Sequence, residues 1–275
     1  MSEPRTTESV PRGVDPSTPN VARMYDYYLG GKDNYAADRE TAEKVLARYP
    51  ELRMVTQQGR AFLDRVVTFL AAEAGIRQFL DIGSGLPTQR NVHEVAHEVD
   101  PDARVVYVDY DRIVIVHARA LLADGKRGRT VVVEADLRDP HAILEHPDTR
   151  TVIDFSRPVA ILLSAILHFV PDEDDPYGVV ETLVSAMAPG SYLVISHAGG
   201  EDMSDRAREA AAEYRGATAQ MALRSRSEIL RFFDRLELVE PGLVSITEWR
   251  NASPPPAALA DQIAKAAYVG VARKP

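Results

Sequence analysis

The chain has 275 residues, no cysteine and a formal net charge of −9. The missing cysteines exclude disulfides, thiolate metal sites and a cysteine nucleophile, and the acidic balance argues against a nucleic-acid surface, which carries a basic footprint. With 45% hydrophobic and 27% charged residues, the chain has the make-up of a soluble globular protein, long enough for one large α/β domain with an appendage.

Residues 1–17 are polar and rich in Pro, Ser and Thr, and read as a disordered arm. They lack the apolar segment of a secretory signal. No apolar run approaches the ~18 residues that span a bilayer, so a cytoplasmic protein without membrane contact is expected. Thr18 and Pro19 suggest an N-cap followed by proline at the first helical position. A helix over 20–29 should follow and stop at Gly30 and Gly31. Further helices are expected over 37–48 and 52–74, with Pro50 between them. Residues 18–75 thus form a helical cap or lid ahead of any strand.

From residue 76 the pattern changes. Strands are predicted at 78–82, 104–109, 130–134, 159–164 and 191–196, with helices at 91–99, 112–123, 141–145 and 176–187 between them. This alternation implies a doubly wound, parallel α/β sheet. Helices around 205–222 and 227–233 come next, and Ser225 with Glu228 forms a capping-box pattern for the second. Two last strands, 243–247 and 268–272, are joined through a loop holding Pro254, Pro255 and Pro256.

The stretch RQFLDIGSGLPTQRN, residues 77–91, carries the chemistry. An apolar strand ends in Asp81 and breaks into Gly83-Ser84-Gly85 before a helix. That order builds a nucleotide-type pocket at the carboxyl edge of a parallel sheet. The dinucleotide fingerprint G-x-G-x-x-G is incomplete, because Thr88 stands at its third glycine. This weakens an NAD reading. Asp109 ends the second strand, where a carboxylate can accept from ribose hydroxyls. Asp136 ends the third, where it can accept from an adenine amino group with Leu137 on the ring.

Five motifs in order, NVARMYDYYLGGKDNYAADRE (20–40), FLDIGSGLPTQRNVHEVA (79–96), VVYVDYD (105–111), EADLRDP (134–140) and LHFVPD (167–172), resemble an actinobacterial family of S-adenosyl methyltransferases formerly known as a domain of unknown function. Residues 78–275 also resemble class I S-adenosylmethionine-dependent methyltransferases in general. The resemblance implies a Rossmann-like, mostly parallel seven-stranded sheet whose last strand is antiparallel, with S-adenosylmethionine as cofactor. It places Asp81, Gly83, Ser84 and Gly85 around the methionine part, Asp109 on the ribose and Tyr110 beside the adenine. Asp136 and Leu137 would hold the adenine, and Ser164 would lie near the sulfonium. It names no acceptor.

Other segments supply candidates. Residues 25–35, dense in tyrosine, charge and glycine, suggest a lid in which Tyr28 or Tyr35 stacks near the pocket and Arg23 or Lys32 pairs with the cofactor carboxylate. The alternative is a packed helical cap with its charges in water. His93-Glu94-Val95-Ala96-His97 matches the zinc-peptidase pattern H-E-x-x-H, but Pro101 soon ends the helix and no third ligand follows. His168, after the fourth strand, is a candidate general base facing the acceptor, or else a packing or capping residue. Asp172 to Asp175 read as solvated acids at a helix start. The reading is a methyltransferase acting on a small molecule. The alternatives are an NAD(P)-dependent oxidoreductase and a non-catalytic S-adenosylmethionine-binding regulator.

Overall fold

The structure, a computed structural model, describes residues 14–88, 90–122, 129–200 and 203–275. Three helices lead: α1 (Val21–Tyr28), α2 (Ala36–Arg48) and α3 (Leu52–Ala72). The alternating part runs β1 (Gln78–Ile82), α4 (Val92–Val99), β2 (Arg104–Asp109), α5 (Arg112–Leu122), β3 (Thr130–Glu134), α6 (Pro140–Glu145), α7 (Pro147–Val152), β4 (Ala160–Ser164), α8 (Pro176–Ala186) and β5 (Tyr192–Ala198). It closes with α9 (Asp205–Ala212), α10 (Arg226–Arg231), β6 (Glu237–Leu238), β7 (Val244–Ser245), α11 (Ala257–Ile263) and β8 (Ala267–Arg273).

The strands form one sheet in the order β3-β2-β1-β4-β5-β8-β6, with β7 also on β8. β1 to β5 are parallel, and β8 runs antiparallel to β5. The chain winds outward from β1 to β3, then returns to place β4 and β5 on the other side. At that reversal the loops after β1 and β4 diverge and leave a crevice at the carboxyl edge. Alternation along β1 divides the core: Phe79 joins the apolar layer on one face, and Leu80 and Ile82 join the layer on the other.

The helical lead-in shares the first of these layers. Phe62 and Phe69 of α3 meet fully buried Trp249 edge-on, with ring centroids 5.6 Å and 5.7 Å away. Arg23 of α1 and Asp38 of α2 form an ion pair at 2.7 Å, with side chains only 3% and 0% exposed. Asp38 also accepts from the backbone N–H of Asn20 and Tyr35, so one carboxylate ties the starts of α1 and α2 together.

The five parallel strands fall where expected, and the Ser225–Glu228 capping box forms. Four details differ. The sheet has eight strands, not seven, because the two exposed residues of β6 are too short to leave a pattern. The proline-rich loop leads into α11, with Pro256 at its N-cap. The helix expected over 205–222 ends at Ala212 and tightens into a 3₁₀ turn, Glu213–Gly216. Asn20, not Thr18, caps α1. Its side chain accepts from the Ala22 and Arg23 N–H groups, while the Thr18 hydroxyl donates to Asp15. Most of the expected arm, residues 1–13, lies outside the described residues. Val14 packs beside Leu86, Ile113 and Val114, and the Asp15 carbonyl accepts from Arg23.

Candidate cofactor and acceptor cavity

After β1 the backbone turns through Gly83 (φ +72°) and Gly85 (φ +66°). Both are left-handed values that side chains rarely adopt. A Cβ at Gly83 would also stand 2.5 Å from Ile166 Cγ1, so the loop after β4 packs directly on this glycine. At Gly85 the same direction is open. The loop is tied to β2: the Gly83 and Ser84 N–H groups donate to the Val108 carbonyl, and the Gly85 N–H donates to Asp109 Oδ2 at 2.9 Å. Asp109 Oδ1 accepts from the Asp111 N–H at 2.9 Å.

This loop forms one end of a cavity of about 180 Å³. Asp81, Gly83, Ser84, Gly85, Asp109 and Tyr110 line that end. The end of β4 supplies Ser164, the turn after it His168, and the end of β5 Ser196 and His197. The far end is apolar and aromatic, with Tyr28 and Tyr49 from the lead-in helices and Phe169 and Tyr214 opposite. Tyr28 and Tyr214 share a hydroxyl–hydroxyl hydrogen bond of 2.9 Å, closing the roof.

Burial dominates the electrostatics. It pushes Asp81 up to about 7, against the attraction of Arg60 and with the help of nearby Asp109. It pushes Asp109 up to about 6, although the Asp111 and Gly85 N–H groups favour its charged form. Among the described residues the charged Asp, Glu, Lys and Arg groups on the cavity wall are Asp26, Arg60, Asp81, Asp109 and Asp111. Four carboxylates against one guanidinium make a lining that favours a cationic or neutral ligand.

His168 and His197 sit on a buried network. The Ala198 N–H donates to His168 Nδ1 at 3.3 Å. The Ala198 carbonyl accepts from His197 Nδ1 at 2.7 Å, and His197 Nε2 accepts from Arg224 Nη1 at 3.2 Å. Buried Arg224 also donates to the Leu167 and Val170 carbonyls and to Asp172. Burial, the neighbouring His197 and the Arg224 charge hold His168 well below the usual imidazole range, and burial lowers His197 to about 4. The ring of His168 therefore stays neutral, with the Nδ1 lone pair occupied by a backbone donor. This arrangement favours the packing reading of His168 over the general base. Asp172 is not merely solvated, since Arg224 holds it.

Of the residues picked from sequence, Tyr28, Asp81, Gly83, Ser84, Gly85, Asp109, Tyr110, Ser164 and His168 reach the cavity wall. Arg23 does not: Asp38 neutralises it inside the cap. Lys32 is exposed, and Tyr35 lies with its ring 5.0 Å from the Arg23 guanidinium, off the wall. Asp136 is not on the cavity wall; it is half-buried near Tyr110, whose phenol is raised chiefly by burial and further by Asp109, Asp111 and Asp136. Burial raises Asp136, but the bonds from Arg138 outweigh it and hold the carboxyl below its usual range. Leu137 packs into the apolar layer behind the wall. Arg60, Ser196 and Tyr214 line the cavity without having been singled out in the sequence, because each comes from an element brought in by folding, while Asp111 closes the VVYVDYD motif.

HEVAH is structural. His93 Nδ1 meets the Tyr107 hydroxyl at 2.8 Å, and His97 Nε2 meets the Ala103 carbonyl at 2.9 Å. Among the described residues no group of three His, Cys, Asp or Glu is placed to hold a metal ion, and no helix is long and apolar enough to cross a membrane.

The sheet order, the switch-point cavity and the acid at the tip of β2 define a Rossmann-like protein of the methyltransferase type. The sequence profile of the S-adenosyl methyltransferase family matches residues 7–275, and the chain belongs to that family. Its cofactor is S-adenosylmethionine. The chain is similar to a DUF574 family protein from Streptomyces avermitilis, at 45% identity and a TM-score of 0.88, over 95% of this chain and 99% of that one. It is equally similar to a Thermobifida fusca protein assigned provisionally as a methyltransferase, at 45% identity and a TM-score of 0.88, over 96% and 98% of the two chains. An O-methyltransferase family protein from Burkholderia thailandensis shares the fold alone, at 16% identity and a TM-score of 0.50, over 86% of this chain and 62% of that one. No protein of curated function matches. Family membership sets aside the NAD(P) reading.

The site fits the cofactor. Asp81 is 4% exposed, and its carboxylate has no hydrogen-bond donor among the described residues. A buried acid left this way calls for a donor, preferably a cation, which an amino-acid ammonium supplies.

Proposed function

We propose that this protein transfers the methyl group of S-adenosylmethionine to a small molecule held under the helical cap. The observation that carries this reading is the continuity of one cavity, from the glycine turn and Asp109 to the aromatic end beneath Tyr28 and Tyr214. When bound, the cofactor supplies a methyl group already activated by its sulfonium. The protein's part is to align the acceptor with it and exclude water. Asp81 would take the ammonium, with Gly83, Ser84 and Gly85 around the methionine part and Ser164 toward the sulfonium. Asp109 would take the ribose hydroxyls and Tyr110 would flank the adenine. Asp136 would exchange Arg138 for the adenine amino group, which its half-buried position permits. An enclosed, mostly apolar chamber suits a small acceptor better than a nucleic acid.

Calorimetric titration with S-adenosylmethionine and S-adenosylhomocysteine tests the cofactor half. Binding should weaken by about 10²-fold or more in Asp109→Ala, as a buried charge-assisted contact is lost. A screen for methylated product then separates an enzyme from a sensor. Tight binding with no turnover across a broad acceptor panel would favour a regulatory protein.

A further inference from the structure

The far end of the cavity limits what the acceptor can be. Its described wall is aromatic and aliphatic, and several of its polar groups are already committed. The Tyr28 and Tyr214 hydroxyls bond to each other. Both nitrogens of His197 are engaged, one by the Ala198 carbonyl and one by Arg224. The Asp26 carboxylate turns back into its own loop, where it accepts from the Asp33 N–H and from Asn34 Nδ2. His168 is different. A backbone N–H can only donate, so the Ala198 bond requires a bare Nδ1 and places the His168 proton on Nε2. No described group accepts that proton, and His168 is on the cavity wall.

We infer that the acceptor is an uncharged aromatic nitrogen compound, held by a hydrogen bond from His168 Nε2–H to an acceptor atom next to the nucleophile. The inference rests on the methyltransferase reading. Three features argue for it together. The aromatic end (Tyr28, Tyr49, Phe169, Tyr214) matches a flat apolar body. The described wall offers an anion such as a phenolate or a carboxylate no Lys or Arg at this end, because Arg60 lies near Asp81. His168 has no lone pair free to take a proton, so the nucleophile must attack without first losing one. A neutral nitrogen does so. Its lone pair forms the N–C bond as the S–C bond breaks and that pair returns to sulfur. The positive charge passes from sulfur to nitrogen, and any N–H proton leaves afterwards to water. Aromatic faces near the new cation are favourable.

Two measurements test this. Nitrogen-15 NMR of the histidine rings should show His168 protonated at Nε2 and not titrating between about pH 5.5 and 8. A proton on Nδ1, or a titration in that window, overturns the inference. Protein loaded with S-adenosylhomocysteine should bind aminoquinoline, which carries a ring-nitrogen acceptor, roughly tenfold more tightly than naphthylamine, which lacks it. Naphthoate, an anion of the same size, should bind no better than naphthylamine. His168→Phe should abolish the preference and His168→Gln, which keeps an N–H donor, should retain it. Equal or tighter binding of naphthoate, a preference that survives in His168→Phe, or no binding of any probe to the loaded protein overturns the inference. Failure of S-adenosylhomocysteine itself to bind would instead overturn the cofactor reading, and the two failures are therefore distinct.

Discussion

Asp81 is the residue whose ionisation should govern ligand affinity. Burial raises it to about 7, and a ligand ammonium prefers the ionised form. Affinity for S-adenosylmethionine should therefore rise with pH through about 7 and fall as pH drops below it, with protons released on binding at lower pH. Titrations in buffers of different ionisation enthalpy will count those protons, and Asp81→Asn should flatten the profile. The ligand-free protein shows the opposite sign. The neutral carboxyl is favoured in the folded state, so its contribution is full below the usual carboxylate range and is lost as pH rises through about 7. Gly83 is a second exacting position. Gly83→Ala meets both a positive φ and the Ile166 side chain, and should cost about 2–4 kcal/mol in chemical denaturation. Gly85→Ala meets strain without a clash and should cost less.

At the scale of elements, the start of α1 is tied to the tip of β2 and to the loop after α9. Asn20 caps α1 and donates from Nδ2 to Asp111, beside the proposed ribose position, and to Thr218 Oγ1 at 3.4 Å. The Thr218 N–H donates to the Pro19 carbonyl at 2.9 Å. Lead-in helix, β2 tip and the loop after α9 thus meet at one side chain. Asn20→Ala should cost about 1–2 kcal/mol of stability through the lost cap. It should also speed release of S-adenosylhomocysteine, read by stopped-flow dilution, because this tie loosens. An unchanged release rate would argue against a lid.

For the whole molecule, the helical lead-in and the sheet share one apolar layer. Trp249 lies 0% exposed between Phe62 and Phe69 of α3 and comes from the far end of the chain. Trp249→Ala should cost about 3–5 kcal/mol. Residues 76–275 alone should fail to give a cooperative melting transition by circular dichroism, since their sheet would expose the face that α3 covers. A stable isolated fragment would instead make the lead-in a detachable cap.

The local pattern determined much of this protein. Apolar runs marked all five parallel strands, because strands buried on both faces cannot hide among polar residues. The glycine turn, Asp81 and Asp109 were legible for a related reason: a tight turn at a strand tip admits few residue types. Function beyond the cofactor was less legible. Arg23 and His168 show why, since a charged or titratable side chain has the same letter whether it meets a ligand or a neighbour. Only the tertiary structure spent Arg23 on Asp38 and set the Ala198 N–H against His168 Nδ1. It also brought Tyr28 to Tyr214, 186 residues away, at the aromatic end of the cavity. Sequence patterning records what each segment buries; which segments then face each other across a cavity is decided by long-range packing, and there the identity of a polar group's partner determines its chemistry.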